Sequence, residues 1–152
     1  GVSFNGANLA GAKLDGANLT GADLRGAYLT GATMQDAIVE GAYLQGAIGL
    51  QPTVGKLEDF YRWALQNEKE KDYVNAIKNF TRVIERKDDF APAYFGRAAA
   101  RAQANDIQGA IADARQAEKL FKTRGDVKSA EVADKFALLL EKPPEERPKK
   151  GG

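Results

Sequence analysis

The chain has 152 residues, a formal net charge of +1, and neither cysteine nor histidine. Without these two residue types, disulfides, thiolate or histidine catalysis and the usual zinc sites are excluded. With 43% hydrophobic residues and a mean hydropathy of −0.44, the composition is typical of one or two small folded domains.

The first fifty residues repeat with a period of five. From Leu9 onward, each large apolar residue follows an alanine by two positions and precedes a glycine by two, except that Asp36 replaces one glycine. A helix would turn successive leucines to different sides, and a straight strand would alternate them between its faces. If the chain turns one corner per repeat, every leucine points at a common axis. The period therefore predicts a β-solenoid.

Three stretches, Ala7-Asn8-Leu9, Ala17-Asn18-Leu19 and Ala22-Asp23-Leu24, match the motif A-(D/N)-L-x-x. Over residues 2–49 the chain resembles the pentapeptide-repeat family. The resemblance implies a short right-handed quadrilateral β-helix with four repeats per coil, and hence about two and a half coils here. Gly49 stands where a large core residue is due, so we assign the β-helix to residues 1–50.

In this family the residue before each core residue faces outward. It is polar in the first coil and later changes to Tyr28, Thr33, Ile38, Tyr43 and Ile48. Residues four repeats apart should stack, which places Tyr28 beside Ile48. These apolar residues are either scattered surface residues, which are normal, or a surface covered by a second domain or a partner. We take Tyr28, Ile38, Tyr43 and Ile48 as candidates for the second interpretation.

Glycine and proline interrupt the period over residues 51–56 and predict a linker. From Leu57 the pattern is helical, and a second copy of it begins at Ala91. We predict helices over residues 57–69, 73–87, 91–104 and 107–121, and a fifth helix that Asp126 caps and that ends near residue 142.

The spacing from Leu57 to Ala91, the small residues Ala64 and Ala76, and the similar helix junctions at 71–77 and 105–111 resemble the tetratricopeptide repeat (TPR), which has a period of about 34 residues. The resemblance implies that residues 57–142 form a TPR helical array of two units. The fifth helix is out of register with the repeat, so we interpret it as a capping helix.

In TPR proteins the first helices of the units line a groove that binds a peptide or a partner's helix. The resemblance carries this role to Tyr61, Leu65, Phe95, Ala99 and Gln103. The positions that clamp a terminal carboxylate in some TPR proteins hold Tyr61, Leu65 and Gly96 here, so that mode is disfavoured. The apolar groove suits a partner's hydrophobic segment, the chain's own fifth helix, or packing within the domain.

The two ends of the chain lead to separate expectations. Residues 143–152 are polar and rich in proline, which predicts a disordered tail. The chain begins with Gly1 rather than methionine, so we expect a fragment or a processed form that has lost any targeting segment. Both families are abundant in cyanobacteria and plastids, and the resemblance implies a cytoplasmic or thylakoid-associated protein of such an origin.

The open ends of the β-helix need partners because they expose backbone edges and core residues. At the C-terminal end we expect Leu50, Val54, Leu57 and Phe60 to provide the cover. At the N-terminal end we expect either a missing segment or self-association through the open first coil.

The predicted function is a non-enzymatic protein–protein interaction scaffold, with no catalytic residues, cofactor or metal. Neither half carries the one-sign charge expected of a nucleic-acid or membrane binder, so we expect a protein partner. The alternative is a regulatory inhibitor whose β-helix mimics nucleic acid against a topoisomerase-type target. Two basic and four acidic residues leave residues 1–50 with a charge of only −2, which disfavours mimicry.

Overall fold

The structure, a computed structural model, describes residues 1–147 and 149 and divides into two units, Gly1–Phe60 and Tyr61–Gly152. Residues 51–60, which include the predicted linker, group with the β-helix, and Val54 and Phe60 among them are buried. The end of the predicted tail, residues 148 and 150–152, lies outside the described residues. Within the described part of the chain, no helix has both the length and the apolar character needed to cross a bilayer.

Parallel backbone bridges build the first unit into a β-helix. Each bridge joins residues four repeats apart: Ser3–Asp23, Asn8–Tyr28, Lys13–Thr33, Asn18–Ile38, Asp23–Tyr43 and Tyr28–Ile48. Each bridge is isolated, so the described residues contain no β-strand of more than one bridged residue. The predicted stacking of Tyr28 on Ile48 is confirmed, because the N–H of Leu29 donates to the carbonyl of Ile48 at 2.7 Å.

The repeated leucines and alanines form the core of this β-helix. In the middle coil, Leu24 and Ala27 are 0% exposed and Leu29 is 1% exposed. In the first coil, Leu9 and Leu14 are only half-buried, since no other described coil lies on that side. Leucines thus lose different amounts of solvent-accessible surface, depending on the coil in which they lie.

Backbone pairing between coils ends at Ile48, as the sequence predicts. Gly49 has a φ of +77°, and a Cβ atom there would lie 2.6 Å from the Cα of Thr30. A core side chain at this position would therefore collide with the previous coil. The missing Cβ lets the chain leave the repeat while remaining close to its neighbour.

The segment after Gly49 covers apolar core residues at the C-terminal end of the β-helix but leaves part of its backbone edge open. Leu50, Val54 and Phe60 are buried, whereas Leu57 is partly buried. Gly55 lies between Leu44 and Phe60, with a φ of +89°, and a Cβ atom on it would be 2.9 Å from side-chain atoms of both. The expectation that apolar residues after the repeat provide the cover is confirmed for this unit.

Five α-helices follow, close to their predicted limits: α1 (Leu57–Lys69), α2 (Tyr73–Arg86), α3 (Ala91–Gln103), α4 (Ile107–Thr123) and α5 (Val127–Glu141). The carboxylates of Asp72, Asp106 and Asp126 cap α2, α4 and α5 by accepting hydrogen bonds from backbone N–H groups three residues later. A 3-10 turn at Pro144–Glu146 begins the predicted tail, so the described part of that segment is not wholly without structure.

Small residues make up most of the core of the helical unit. Helix α3 packs on α2 and α4, and α4 packs on α5. Alanines at these contacts are almost fully buried: Ala76, Ala98, Ala110, Ala114, Ala117, Ala130, Ala133 and Ala137. Phe80 and Val83 of α2 supply the largest fully buried side chains in this unit. The small residues allow the helices to approach closely, which the alanine pattern predicts.

Candidate functional site

Two candidate groove residues, Tyr61 and Leu65, lie on one face of α1 together with Glu68. Tyr61, Leu65 and Glu68 follow the i, i+4, i+7 spacing that places side chains along one side of a helix. The Tyr61 ring meets Phe80 edge-on at 6.1 Å between centroids and Phe90 at 5.3 Å. Leu65, one turn further, is 45% exposed. This face therefore combines a fixed aromatic ring with an accessible apolar side chain.

A half-buried carboxylate ends this face. Burial raises the pKa of Glu68, and no hydrogen bond or ion pair to its carboxylate occurs within the described residues. Burial also raises the pKa of the Tyr61 hydroxyl, with a further increase from the negative charge of Glu68. A cationic group brought to Glu68 would restore some of the favourable interaction that the carboxylate loses on leaving water.

On α3, the candidate residues differ in accessibility. Phe95 packs edge-on against Phe136 of α5, with centroids 5.5 Å apart. Ala99 is half-buried and Gln103 is exposed. Helix α5 therefore contacts Phe95. A contact with the chain's own fifth helix was one of the alternatives that the sequence left open for the groove.

Two cavities adjoin these α3 residues. One, of about 340 Å³, is lined by Ala102 and Gln103 together with Phe136, Leu140 and Arg147. A smaller one, of about 190 Å³, lies beside Phe95 and is bordered by helices α4 and α5. The role of Phe136 in both the ring contact and the larger cavity was not predicted, although its place on the apolar side of α5 was a usable signal.

The two arginines of α3 are committed to the interior. The Arg97 guanidinium binds both carboxylate oxygens of Asp113 at 2.8 Å, and Arg101 binds the same carboxylate at 2.7 Å. Arg97 also donates to the hydroxyl of Thr81. The side chain of Asp113 is only 6% exposed. These arginines hold α2, α3 and α4 together, so they do not supply a free basic pair for binding a carboxylate.

The candidate residues on the β-helix are exposed but divided between sides. Exposure is 49% for Tyr28, 52% for Ile38, 56% for Tyr43 and 40% for Ile48. Tyr28 and Ile48 share one side, whereas Tyr43 stacks on Asp23 and Ile38 on Asn18. The four residues therefore occupy three sides of the coil, and only one pair is stacked directly.

Comparison with known families bears on the first unit. Residues 3–41 match the family model of pentapeptide repeats, in eight copies. The match covers about a quarter of the chain, within the β-helix, and a helical region follows it. A comparison with curated proteins found no match. Among the described residues, no cluster of acidic side chains is arranged to hold a metal ion.

Proposed function

We propose that this chain is a non-enzymatic interaction scaffold in which two TPR units bind an apolar peptide or helix of a partner protein. The helix junctions support the TPR interpretation. The capping residues Asp72 and Asp106 are one TPR period apart, and so are Lys71 and Asn105, both with a positive φ. Two helix pairs thus repeat with the same turn geometry, and α5 follows as the capping helix.

The β-helix would serve as a rigid structural element of this scaffold. Each bridge spans four five-residue repeats, which corresponds to one coil of a right-handed quadrilateral β-helix. Backbone hydrogen bonds of 2.7–3.2 Å between coils support such rigidity. We assign it no cofactor, metal or catalytic residue.

The observation that carries the proposal is the face of α1 formed by Tyr61, Leu65 and Glu68. A large apolar side chain that is 45% exposed lies between an anchored ring and a carboxylate that has no partner among the described residues. Such a combination suits an apolar segment that carries a lysine or arginine. Ala99 and Gln103 of α3 would supply the corresponding groove residues of the second unit, beside Phe95, which already packs against Phe136 of α5.

The test compares partners captured by the wild-type chain and by Leu65→Glu. Tyr61 and Phe95 are less suitable because each supports other rings, so their loss would also disturb packing. Val74→Glu is the matched control, since Val74 is 62% exposed on α2. We expect Leu65→Glu to lose the captured partner and Val74→Glu to retain it. Equal capture by both variants would place the binding site elsewhere.

Nucleic-acid mimicry is the alternative function, and self-association through the first coil is a separate expectation about partners. Mimicry needs a continuous acidic surface, but Asp23 is already paired with Arg25 at 2.7 Å. Inhibition of a topoisomerase by the chain at low micromolar concentration would favour mimicry. A dimer in sedimentation that Leu9→Lys disrupts would favour self-association.

A further inference from the structure

The third coil of the β-helix is incomplete. Its bridges form on two sides, Asp23–Tyr43 and Tyr28–Ile48, and then stop. Thr33 and Ile38, which lie on the other two sides, bridge to the first coil but have no counterpart in a third coil among the described residues. The middle coil therefore has a covered half and an uncovered half on its C-terminal edge.

The uncovered half presents backbone groups in the arrangement that elsewhere joins one coil to the next. In the first coil, the N–H groups of Leu14, Gly16 and Leu19 donate to the middle coil at 2.7 Å. The equivalent groups one coil later are the N–H of Met34, Asp36, Val39 and Gly41 and the carbonyl of Ala37, and within the described residues none has a hydrogen-bond partner.

At one neighbouring position, a side chain makes the hydrogen bond that a third coil would otherwise make. The carbonyl of Ala32 would face the same missing half-coil, and it accepts a hydrogen bond from the side-chain amide of Gln51 at 3.2 Å. A side chain thus replaces the absent backbone N–H at one position. The remaining groups resemble the edge of a sheet, which can pair with another chain.

This edge lines a cleft of about 820 Å³ within the first unit. Met34, Ile38 and Val39 form part of one wall, and Thr53 and Val54 form part of the other. Ile38 occupies an outward position of the repeat and is 52% exposed, so it presents an apolar side chain to the cleft. The cleft therefore offers a polar edge with apolar side chains beside it, the two features that an added strand uses.

The charge of the cleft selects among extended segments. Four carboxylates line it, those of Asp15, Asp36, Glu40 and Asp59, against the single cation of Lys56. Lys56 binds Glu40 at 2.9 Å, with both side chains well exposed. A surface pair of this kind is weak and can exchange partners. A basic segment therefore fits the cleft better than an acidic one.

We propose that the cleft binds an extended, basic segment of a partner protein, which adds as a parallel strand to the open edge and supplies the missing half of the third coil. The segment spans about ten residues, two five-residue steps. It accepts hydrogen bonds from the N–H groups of Met34, Asp36, Val39 and Gly41 and donates one to the carbonyl of Ala37. This site is independent of the groove on α1 and α3.

The probe is a synthetic peptide that copies part of the chain's own first coil, AKLDGANLTG (residues 12–21), with Asp15→Lys to make it basic. Titrated into the ¹⁵N-labelled full chain, it should shift the amide resonances of Met34, Asp36, Val39 and Gly41. At low salt, the Lys peptide should bind about tenfold tighter than the unmodified peptide, because two charge units change against an acidic cleft. Absence of shifts at these amides at millimolar peptide would overturn the proposal.

Methylation of single peptide nitrogens tests the strand register. In the proposed register, the N–H of peptide residue Asn18 donates to Ala37, whereas the N–H of Leu19 faces away from the edge. N-methylation at Asn18 should weaken binding at least about tenfold, as expected for loss of a hydrogen bond that leaves a polar group unpaired. N-methylation at Leu19 should leave it unchanged. Equal effects of the two peptides would contradict strand addition.

Protein variants test the charge. Asp36→Asn combined with Glu40→Gln should weaken the Lys peptide several-fold without abolishing the shifts. Glu131→Gln, on the exposed surface of α5, is the control and should have no effect. If the four edge amides are instead protected in the free chain in a concentration-dependent way, a second copy occupies the cleft and the proposed partner segment is wrong.

Discussion

The β-helix and the helical unit stabilise their cores by different means. In the β-helix, each repeat contributes the same small set of apolar residues, and regularly spaced backbone hydrogen bonds join each coil to the next. In the helical unit, alanines let the helices approach, and specific side-chain pairs such as Asn67–Asn79 and Arg97–Asp113 join them.

Because of this difference, a local sequence pattern predicts the environment of a residue better in the β-helix than in the helical unit. In the β-helix, the environment of a residue depends on its place in the repeat and on its coil. In the helical unit, Asp113 of α4 meets two arginines of another helix, and no periodicity identifies them. Substitutions should therefore have regular effects in the first unit and individual effects in the second.

The largest expected effect is at Asp113. Asp113→Asn leaves the charges of Arg97 and Arg101 without their buried counterion and should lower the free energy of unfolding by about 4 kcal/mol. The control is Asp134→Asn, since Asp134 pairs with Arg115 but is 41% exposed, and its loss should cost less than about 1 kcal/mol. Urea unfolding followed by fluorescence of Trp63, the single tryptophan, measures both. Similar losses of stability in the two variants would show that the buried ion pairs of Asp113 contribute no more than the exposed pair of Asp134.

The next effect tests the dependence on coil. Leu24→Ala, in the fully buried middle coil, should destabilise the β-helix by about 3 kcal/mol. Leu9→Ala, at the half-buried first coil, should cost about 1 kcal/mol because less apolar surface returns to water. Hydrogen exchange of the amides of residues 22–30 reports the loss in each variant. Equal destabilisation would mean that the first coil is covered in solution.

A smaller effect is expected where the repeat departs from glycine. Asp36 has a φ of +58° at a corner that glycine occupies in the other repeats. Asp36→Gly should raise the free energy of unfolding by about 0.5 kcal/mol, since glycine tolerates this conformation, whereas Asp36→Ala should lower it. Thermal unfolding of the two variants in parallel separates the backbone effect from the loss of the carboxylate. A less stable Asp36→Gly chain would indicate that the carboxylate matters more than the corner.

The smallest effect concerns pH. The Thr33 hydroxyl, and then the N–H of Gln35, donate to Asp15 and hold the pKa of its carboxyl below the ordinary value. Because the folded-state pKa is the lower one, this contribution is present above about pH 4 and is lost as the pH falls through the folded-state pKa. Thr33→Val should raise the pKa of Asp15 towards its ordinary value, as measured by NMR titration. An unchanged pKa would assign the effect to the backbone hydrogen bond alone.

Much of the fold could be predicted because its signals are local. The period of five specified which residues enter the β-helix core, and the break at Gly49 marked its end. Asp126 marked the start of α5, since capping depends on groups only three residues away, and the structure shows Asp72 and Asp106 capping α2 and α4 in the same way. The candidate groove residues came from the TPR resemblance, and their binding role stays a prediction.

What the sequence by itself determined is the set of elements: a repeat whose period requires a corner in every five residues, and five helices whose limits follow from caps and apolar spacing. Only the tertiary structure decided which side chains meet. It paired Arg97 and Arg101 with Asp113, placed Phe95 against Phe136, and left half of a coil edge open beside residues 51–59. The physical reason is the separation along the chain between the groups that interact. Backbone conformation responds to neighbours a few residues away, whereas ion pairs, ring contacts and clefts depend on residues that the fold brings together from distant parts of the chain.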